Sequence, residues 1–142
     1  VEAAIKAGVS YIAYTSFAEA DKATSPLAED HLFTERLIEK AGISYTFLRN
    51  NWYLENELPL VEAAMNSGKF VYAAGNGKTG WAMKREYAEV AAKALLGADY
   101  PAILELSGKP VNYNTLANAL KKMRQEKEFE VISSDDSGFI NH

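Results

Sequence analysis

The residues best suited to chemistry lie in one short stretch, SYTFLRNNWYLEN at 44–56. An apolar, β-branched and aromatic run, Tyr45-Thr46-Phe47-Leu48, stops at Arg49 and gives way to Asn50-Asn51-Trp52-Tyr53. A plain surface loop is more often built from Gly, Pro, Ser and Asp. Each amide here can both donate to and accept from a carboxamide or a ribose, and Trp and Tyr each offer a flat apolar face with one polar handle. The same residues could instead finish a core, with Trp52 and Tyr53 plugging its top and the asparagines making turn contacts. The pattern leaves both readings open. Two further features carry functional groups. Thr15-Ser16 ends another apolar run, and His31 and Glu35 stand four apart, on one face of any helix that contains them.

The elements that must position these residues follow from periodicity. VEAAIKAG reads as the last turns of a helix, with Ala3, Ala4 and Ala7 on its buried side and Gly8 as its stop, so the chain is expected to begin inside a fold. SYIAYTS and ISYTFL are near-continuous apolar runs of strand length, and both turn polar at their carboxyl ends. Between them, Ser25 and Pro26 open a helix of about four turns, with an apolar stripe of Leu27, Leu32, Leu37 and Ile38 that Gly42 ends. This is a βαβ unit covered on both faces. Ligands bind outside the carboxyl ends of strands in such sheets, so Thr15-Ser16 and residues 49–53 should face one crevice. A shorter helix is expected over 57–67 with Gly68 as stop. KFVYAA is strand-like, WAMK is a short strand, and REYAEVAAKALLG is an amphipathic helix with Tyr87, Val90, Ala91, Ala94 and Leu95 on one face. ILELSG is a strand, Asn114 caps a helix TLANALKKMRQ, and EFEVIS is the last strand. The alternation predicts an α/β domain with a largely parallel sheet.

Gly75-Asn76-Gly77-Lys78-Thr79-Gly80 matches the G-x-G-x-x-G dinucleotide fingerprint. That fingerprint requires a helix opening within the glycines, whereas Trp81-Ala82-Met83 intervene. Asn76-Gly77 is a favoured hairpin dipeptide, and a turn is the preferred reading. The P-loop alternative has Gly77-Lys78-Thr79 but Tyr72 where its first glycine belongs.

Composition narrows the classes. A chain of 142 residues, 48% hydrophobic and 24% charged, suits one soluble domain with its own core. No apolar run nears the roughly 18 residues that span a bilayer, and no basic-then-apolar leader opens the chain. The absence of cysteine excludes disulfides, zinc–thiolate sites and a thiol nucleophile, and suits a cytoplasmic location. A net charge of -4 argues against a general nucleic-acid binder. The two histidines, His31 and His142, are far apart and the acids scatter along helices, so no metal site is expected. Asp135-Asp136 with Ser137 reads as a tail rather than a cation loop.

The strings IAYTS, PLAEDHLFTE, YTFLRNNWYLEN, and AAGNGK followed by REYAEVAA occur in the order and spacing of the NmrA-like group of atypical short-chain dehydrogenases/reductases. Within that group the chain resembles the flavin-free NAD(P)H:quinone oxidoreductases, with triphenylmethane-dye reductases as close relatives. The likeness runs from Val1 to Ser134, and R-N-x-W-Y-x-E-N is its most specific part. The resemblance implies the C-terminal part of one Rossmann-like NAD(P)-binding domain, a mostly parallel sheet truncated at its N-terminal half. Residues 1–56 would form the core βαβ with the nicotinamide-side site, and 57–142 the substrate side with a small α+β portion. It also implies NADPH as cofactor, with NADH as the alternative. Hydride would pass to a quinone or similar conjugated electrophile, a small-molecule partner. Asn50, Asn51, Trp52, Tyr53, Leu54 and Glu55 would line the nicotinamide end, with Thr15 beside them.

The family's first strand, its glycine-rich pyrophosphate loop and the basic residue that selects a 2′-phosphate have no counterpart here. The family usually has Gly where this chain has Asn51, and the chain is expected to stop before the family's usual C-terminal helix, in the polar SSDDSGFINH. Open sheet edges then predict poor solubility or a homodimer. Short-chain dehydrogenases carry Tyr-x-x-x-Lys on the helix that here resembles it with His31-x-x-x-Glu35. His31 is the candidate proton donor to a quinone oxygen, against the alternative of a packing histidine. Two rivals complete the expectations: a non-catalytic NAD(P)-sensing regulator of NmrA type, and an inactive truncated fragment.

Overall fold

The structure, a computed structural model, describes residues 1–124 and 128–134. The expected end of the last helix at Gln125, the Asp135-Asp136-Ser137 tail and His142 lie outside the described residues. In chain order the elements are α1 (Glu2–Lys6), β1 (Tyr11–Phe17), α2 (Pro26–Lys40), β2 (Ser44–Asn50), a 3₁₀ turn (Leu54–Glu57), α3 (Leu58–Ser67), β3 (Lys69–Tyr72), β4 (Lys78–Thr79), α4 (Lys84–Leu95), β5 (Ile103–Leu106), β6 (Val111–Asn112), α5 (Tyr113–Met123) and β7 (Glu130–Ser133). They fall into two compact units: Val1–Asn51 with Lys84–Ser107, and Trp52–Met83 with Gly108–His142. No helix among the described residues is long and apolar enough to cross a membrane.

The first unit holds the expected βαβ. β1, β2 and β5 form a parallel sheet in that order, with Thr15 opposite Leu48, Ser16 opposite Arg49, and Asn50 between Phe17 and Leu106. β2 is the central strand, and its last five residues, Thr46 to Asn50, are buried on both faces, which explains its unbroken apolar character. The strand does not stop at Arg49 as the composition suggested; it carries Arg49 and Asn50 inside the sheet. α2 opens at Pro26 after Ser25, as expected, although the serine side chain makes no cap. Its buried face is Ala28, Glu35 and Ile38, while Leu27 and Leu37 of the expected stripe remain 49% and 39% exposed. The spacing i, i+7, i+10 keeps one face inward, and an ion pair at Glu35 outweighs the apolar residues beside it in choosing that face. α1 buries none of its residues, contrary to the alanine side assigned to it. In α4, Tyr87 and Ala94 are buried, but Leu95, roughly 100° further round the helix, is exposed.

The second unit pairs β3 with β7 in parallel and β4 with β6 antiparallel. Its core gathers Ala64, Phe70, Tyr72, Ala117, Leu120 and Phe129. Gly68 ends α3 in the left-handed conformation, as read from the sequence. The turn over Gly75-Asn76 is confirmed, but β4 pairs with β6 rather than returning along β3, so it is no hairpin. It is Gly75, at φ 53°, that takes the positive dihedral, and the Gly77 amide closes the turn on the Ala74 carbonyl at 2.9 Å. WAMK contributes a single parallel bridge from Ala82 to Tyr53 in place of a strand. The cap of α5 is Asn112, whose Oδ1 accepts from the Thr115 amide at 3.0 Å; Asn114, two residues on, lies inside the helix.

Candidate functional site

Side chains alternate along a strand, so the register sorts the rim of the first sheet into two faces. Tyr14, Ser16, Phe47 and Arg49 turn toward α2: Tyr14 reaches His31, and Ser16 and Arg49 reach Glu35. Thr15 and Asn50 therefore share the opposite face at the carboxyl end. Thr15 is exposed there, and Asn50 is buried at 6% exposure. The Asn51 amide is pinned to the Leu106 carbonyl at 2.9 Å, which fixes where the chain leaves the sheet.

Arg49 explains why a cation sits inside an apolar strand. Its Nε and Nη2 donate to the two oxygens of Glu35 at 3.0 and 2.8 Å, a bidentate fork, and Ser16 Oγ donates to Oε1 of the same carboxylate at 2.6 Å. Nη1 donates to Asp21 and, at 3.1 Å, to Oε1 of Glu105, whose Oε2 accepts the Glu19 amide at 3.0 Å. One guanidinium thus joins the loop after β1, the α2 helix, β2 and β5 just beneath the rim. Hydrogen bonding to Glu35 holds the guanidinium well above its usual pKa, against the pull of burial. Asp21 is held below the carboxylate range by a backbone hydrogen bond and then by Arg49.

His31 faces β1 from α2. Its Nδ1 lies 2.8 Å from Tyr14 Oη, and its ring stacks on Phe17 at 6.2 Å between centroids. Phe17 is the last residue of β1, so the ring sits at the carboxyl end of that strand. Glu35, four residues on, bonds to Ser16 and Arg49, and these bonds keep it in the α2 face of the sheet.

In the second unit, residues 52–54 run beside Ala82. The Leu54 amide donates to the Ala82 carbonyl at 2.9 Å, and the Ala82 amide donates to the Trp52 carbonyl at 3.4 Å. Trp52 is 43% exposed, so it is no plug of a core; Tyr53, Leu54 and Glu55 are half-buried. Sequence reasoning missed a second buried acid here. Glu57 is 6% exposed, and its Oε1 accepts from Trp81 Nε1 at 3.0 Å and from Tyr113 Oη at 2.9 Å. Burial, and then Glu57, push the Tyr113 phenol above its usual pKa. Trp81 meets Tyr113 edge-on at 4.9 Å, and Tyr72 stacks on Tyr113 at 5.6 Å. The partners lie 24 and 56 residues from Glu57, so no local pattern could have announced them. Arg49 did carry a signal, because a guanidinium at the end of a buried strand must find an acid.

No family model matches the sequence. Over 109 residues, 76% of its length, the chain is 43% identical to quinone oxidoreductase 2 of Escherichia coli (strain K12), covering 38% of that protein. The solved NADPH-dependent quinone oxidoreductase of E. coli, complexed with NADPH, is 37% identical with a TM-score of 0.89 over 99% of this chain and 50% of the other. A triphenylmethane reductase of Citrobacter sp. complexed with NADP(H) is 32% identical, with a TM-score of 0.87 over 99% of this chain and 50% of that one. The chain thus spans half, or less, of each of these proteins. Their α/β architecture is the Rossmann-like one expected from the sequence.

Proposed function

We propose that the chain forms part of an NAD(P)H-dependent reductase of the NmrA-like atypical short-chain dehydrogenase/reductase kind, acting on a quinone or similar conjugated small molecule. The likeness to the NADPH-bound quinone oxidoreductase over 99% of the chain carries this reading. The rim geometry supports it: the donor set of Thr15 and Asn50 suits a carboxamide, which needs both a donor and an acceptor. Thr15, Asn50 and Asn51 hold the nicotinamide end in this reading, and Trp52, Tyr53, Leu54 and Glu55, next in the chain, complete the set. NADPH, or NADH as the alternative, supplies the hydride. The protein supplies orientation. Arg49 keeps the carboxyl ends of β1, β2 and β5 in register, so the Asn50 amide is positioned before any ligand arrives. The cytoplasm and a homodimer belong to the same reading.

Quinone-dependent oxidation of NADPH by the full-length protein tests it. Turnover that rises with quinone supports the reductase. Tight NADPH binding with no quinone-dependent turnover supports the sensing regulator instead. His31 is a separate step of the proposal. With Tyr14 donating to Nδ1, the imidazole carries its proton on Nε2 and donates it as a hydrogen bond to the quinone oxygen as hydride arrives, while the proton that completes the reduction comes from water. His31→Ala then lowers turnover about a hundredfold. An unchanged rate assigns the ring to packing on Tyr14 and Phe17.

A further inference from the structure

The loop that follows β1 is held from outside itself. Glu19 is the one non-glycine residue with a positive φ among the described residues, at 48°. An L side chain is strained there, and such a conformation persists only where the surroundings hold it. The Glu19 amide donates to Glu105 Oε2 at 3.0 Å, and Asp21 accepts from Arg49 Nη1, which also donates to Glu105 Oε1 at 3.1 Å. Glu105 thus uses both oxygens, one on the loop backbone and one on the guanidinium beneath the rim. Between these two ties Ala20 is buried at 2% exposure. The Ala18 amide donates to the Asn50 carbonyl at 3.1 Å, so the held loop lies against the residue assigned to the nicotinamide end.

We propose that Glu105 is a positioning residue for the reductase, a strap that holds the loop over residues 18–22 against the rim so that this end of the site is formed before NADPH arrives. The inference rests on the reductase reading and deepens it. The Glu105 side chain is 45% exposed, so burial does not force these bonds on it. What the bonds secure is geometry. Ligands of such sheets lie outside the carboxyl ends of the strands, and β1 reaches that end at Phe17, directly before the loop. Glu105 stands opposite Arg49 in the register, and the carbonyl of Leu106 beside it accepts the Asn51 amide at 2.9 Å. The end of β5 therefore places both the loop that rests on Asn50 and the residue that follows Asn50. A loop released from Glu105 relaxes out of the strained φ and samples other conformations, and only the fraction still in the held one receives the cofactor.

The test uses the full-length protein, with NADPH as the probe. Glu105→Ala removes both acceptor oxygens, and Glu105→Gln keeps one. In the cofactor-free protein, amide hydrogen exchange at Ala18 and Glu19 is expected to quicken about tenfold in Glu105→Ala and less in Glu105→Gln, with the amides of β1 and β2 unchanged. Kd and KM for NADPH rise about tenfold in Glu105→Ala while kcat stays within about twofold, because bound cofactor itself holds the loop. Glu105→Gln recovers part of the loss. Asp21→Asn loosens the loop from its own side and moves the same quantities in the same direction, and it carries the test if Glu105→Ala does not fold. Unchanged exchange at Glu19, exchange that quickens equally across the sheet, or an unchanged Kd for NADPH beside faster exchange each overturns the proposal. A parent that neither binds nor oxidises NADPH removes the reductase reading and this inference with it, whereas an active parent matched by Glu105→Ala removes the inference alone.

Discussion

Among the described residues each unit buries one glutamate, and the two are satisfied by opposite means. Glu35, 3% exposed, meets a cation: Arg49 forks onto both its oxygens, with Ser16 adding a neutral bond. Glu57, 6% exposed, is held on one oxygen by two neutral donors, an indole and a phenol. A buried ion pair fixes geometry, because either partner left alone is a bare charge in a poor solvent. A carboxyl group held by neutral donors exchanges hydrogen bonds alone, and losing one costs less. The first arrangement therefore serves as a clamp under the rim of the sheet, and the second ties the start of α3 to Trp81 and Tyr113.

The contrast can be broken at its strongest point. Arg49→Leu strands Glu35 in the interior and is expected to cost about 3–5 kcal/mol, measured from denaturant midpoints at constant slope. A loss below about 1 kcal/mol would show that the clamp is not what fixes the rim. Trp81→Phe removes one neutral donor from Glu57 and keeps most of the ring, so a smaller loss of about 1.5–3 kcal/mol is expected. If it matches the loss from Arg49→Leu, the two acids are held with similar strength and the distinction fails.

The mildest test is alkaline pH. Tyr113 has its pKa raised above the ordinary tyrosine value near 10, first by burial and then by Glu57, so the folded state holds the phenolic proton more tightly than the unfolded one. Its contribution is fully present below about pH 10 and is lost as pH rises toward and through the folded value. Arg49 remains charged over that range and adds no such limb. Chemical denaturation at stepped pH should show a shallower alkaline decline for Tyr113→Phe than for the parent. Parallel curves would remove Tyr113 from the account. Tyr45, raised by burial and then by Glu39, supplies a remaining slope in both.

Much of the fold was legible because it depends on local chemistry. Apolar runs emptying into polar residues marked β1 and β2, Pro26 and the glycines at 8, 42, 68 and 97 punctuated the helices, and each of these glycines takes a positive φ. The face of α2 was legible only in part, through Ile38. Leucine spacing pointed one way, and the demand of a buried guanidinium 14 residues later turned Glu35 inward instead. The turn at Gly75 was readable, but its partner strand was not, since β6 lies more than thirty residues further along the chain. The rim residues were chosen by type and by resemblance. Their faces came only from register, which puts Thr15 with Asn50, while His31 rests on Tyr14 and Phe17.

By itself the sequence determined the order and kind of the elements, and the place where amides and aromatic rings follow a buried strand, because periodicity and turn chemistry act over a few residues. Only the tertiary structure decided which charges meet. Glu35 found Arg49, Arg49 also reached Asp21 and Glu105, and Glu57 found Trp81 and Tyr113. Buried polar groups must be satisfied by whatever the fold brings within about 3 Å, and that proximity is set by packing across the chain rather than by any neighbour in it.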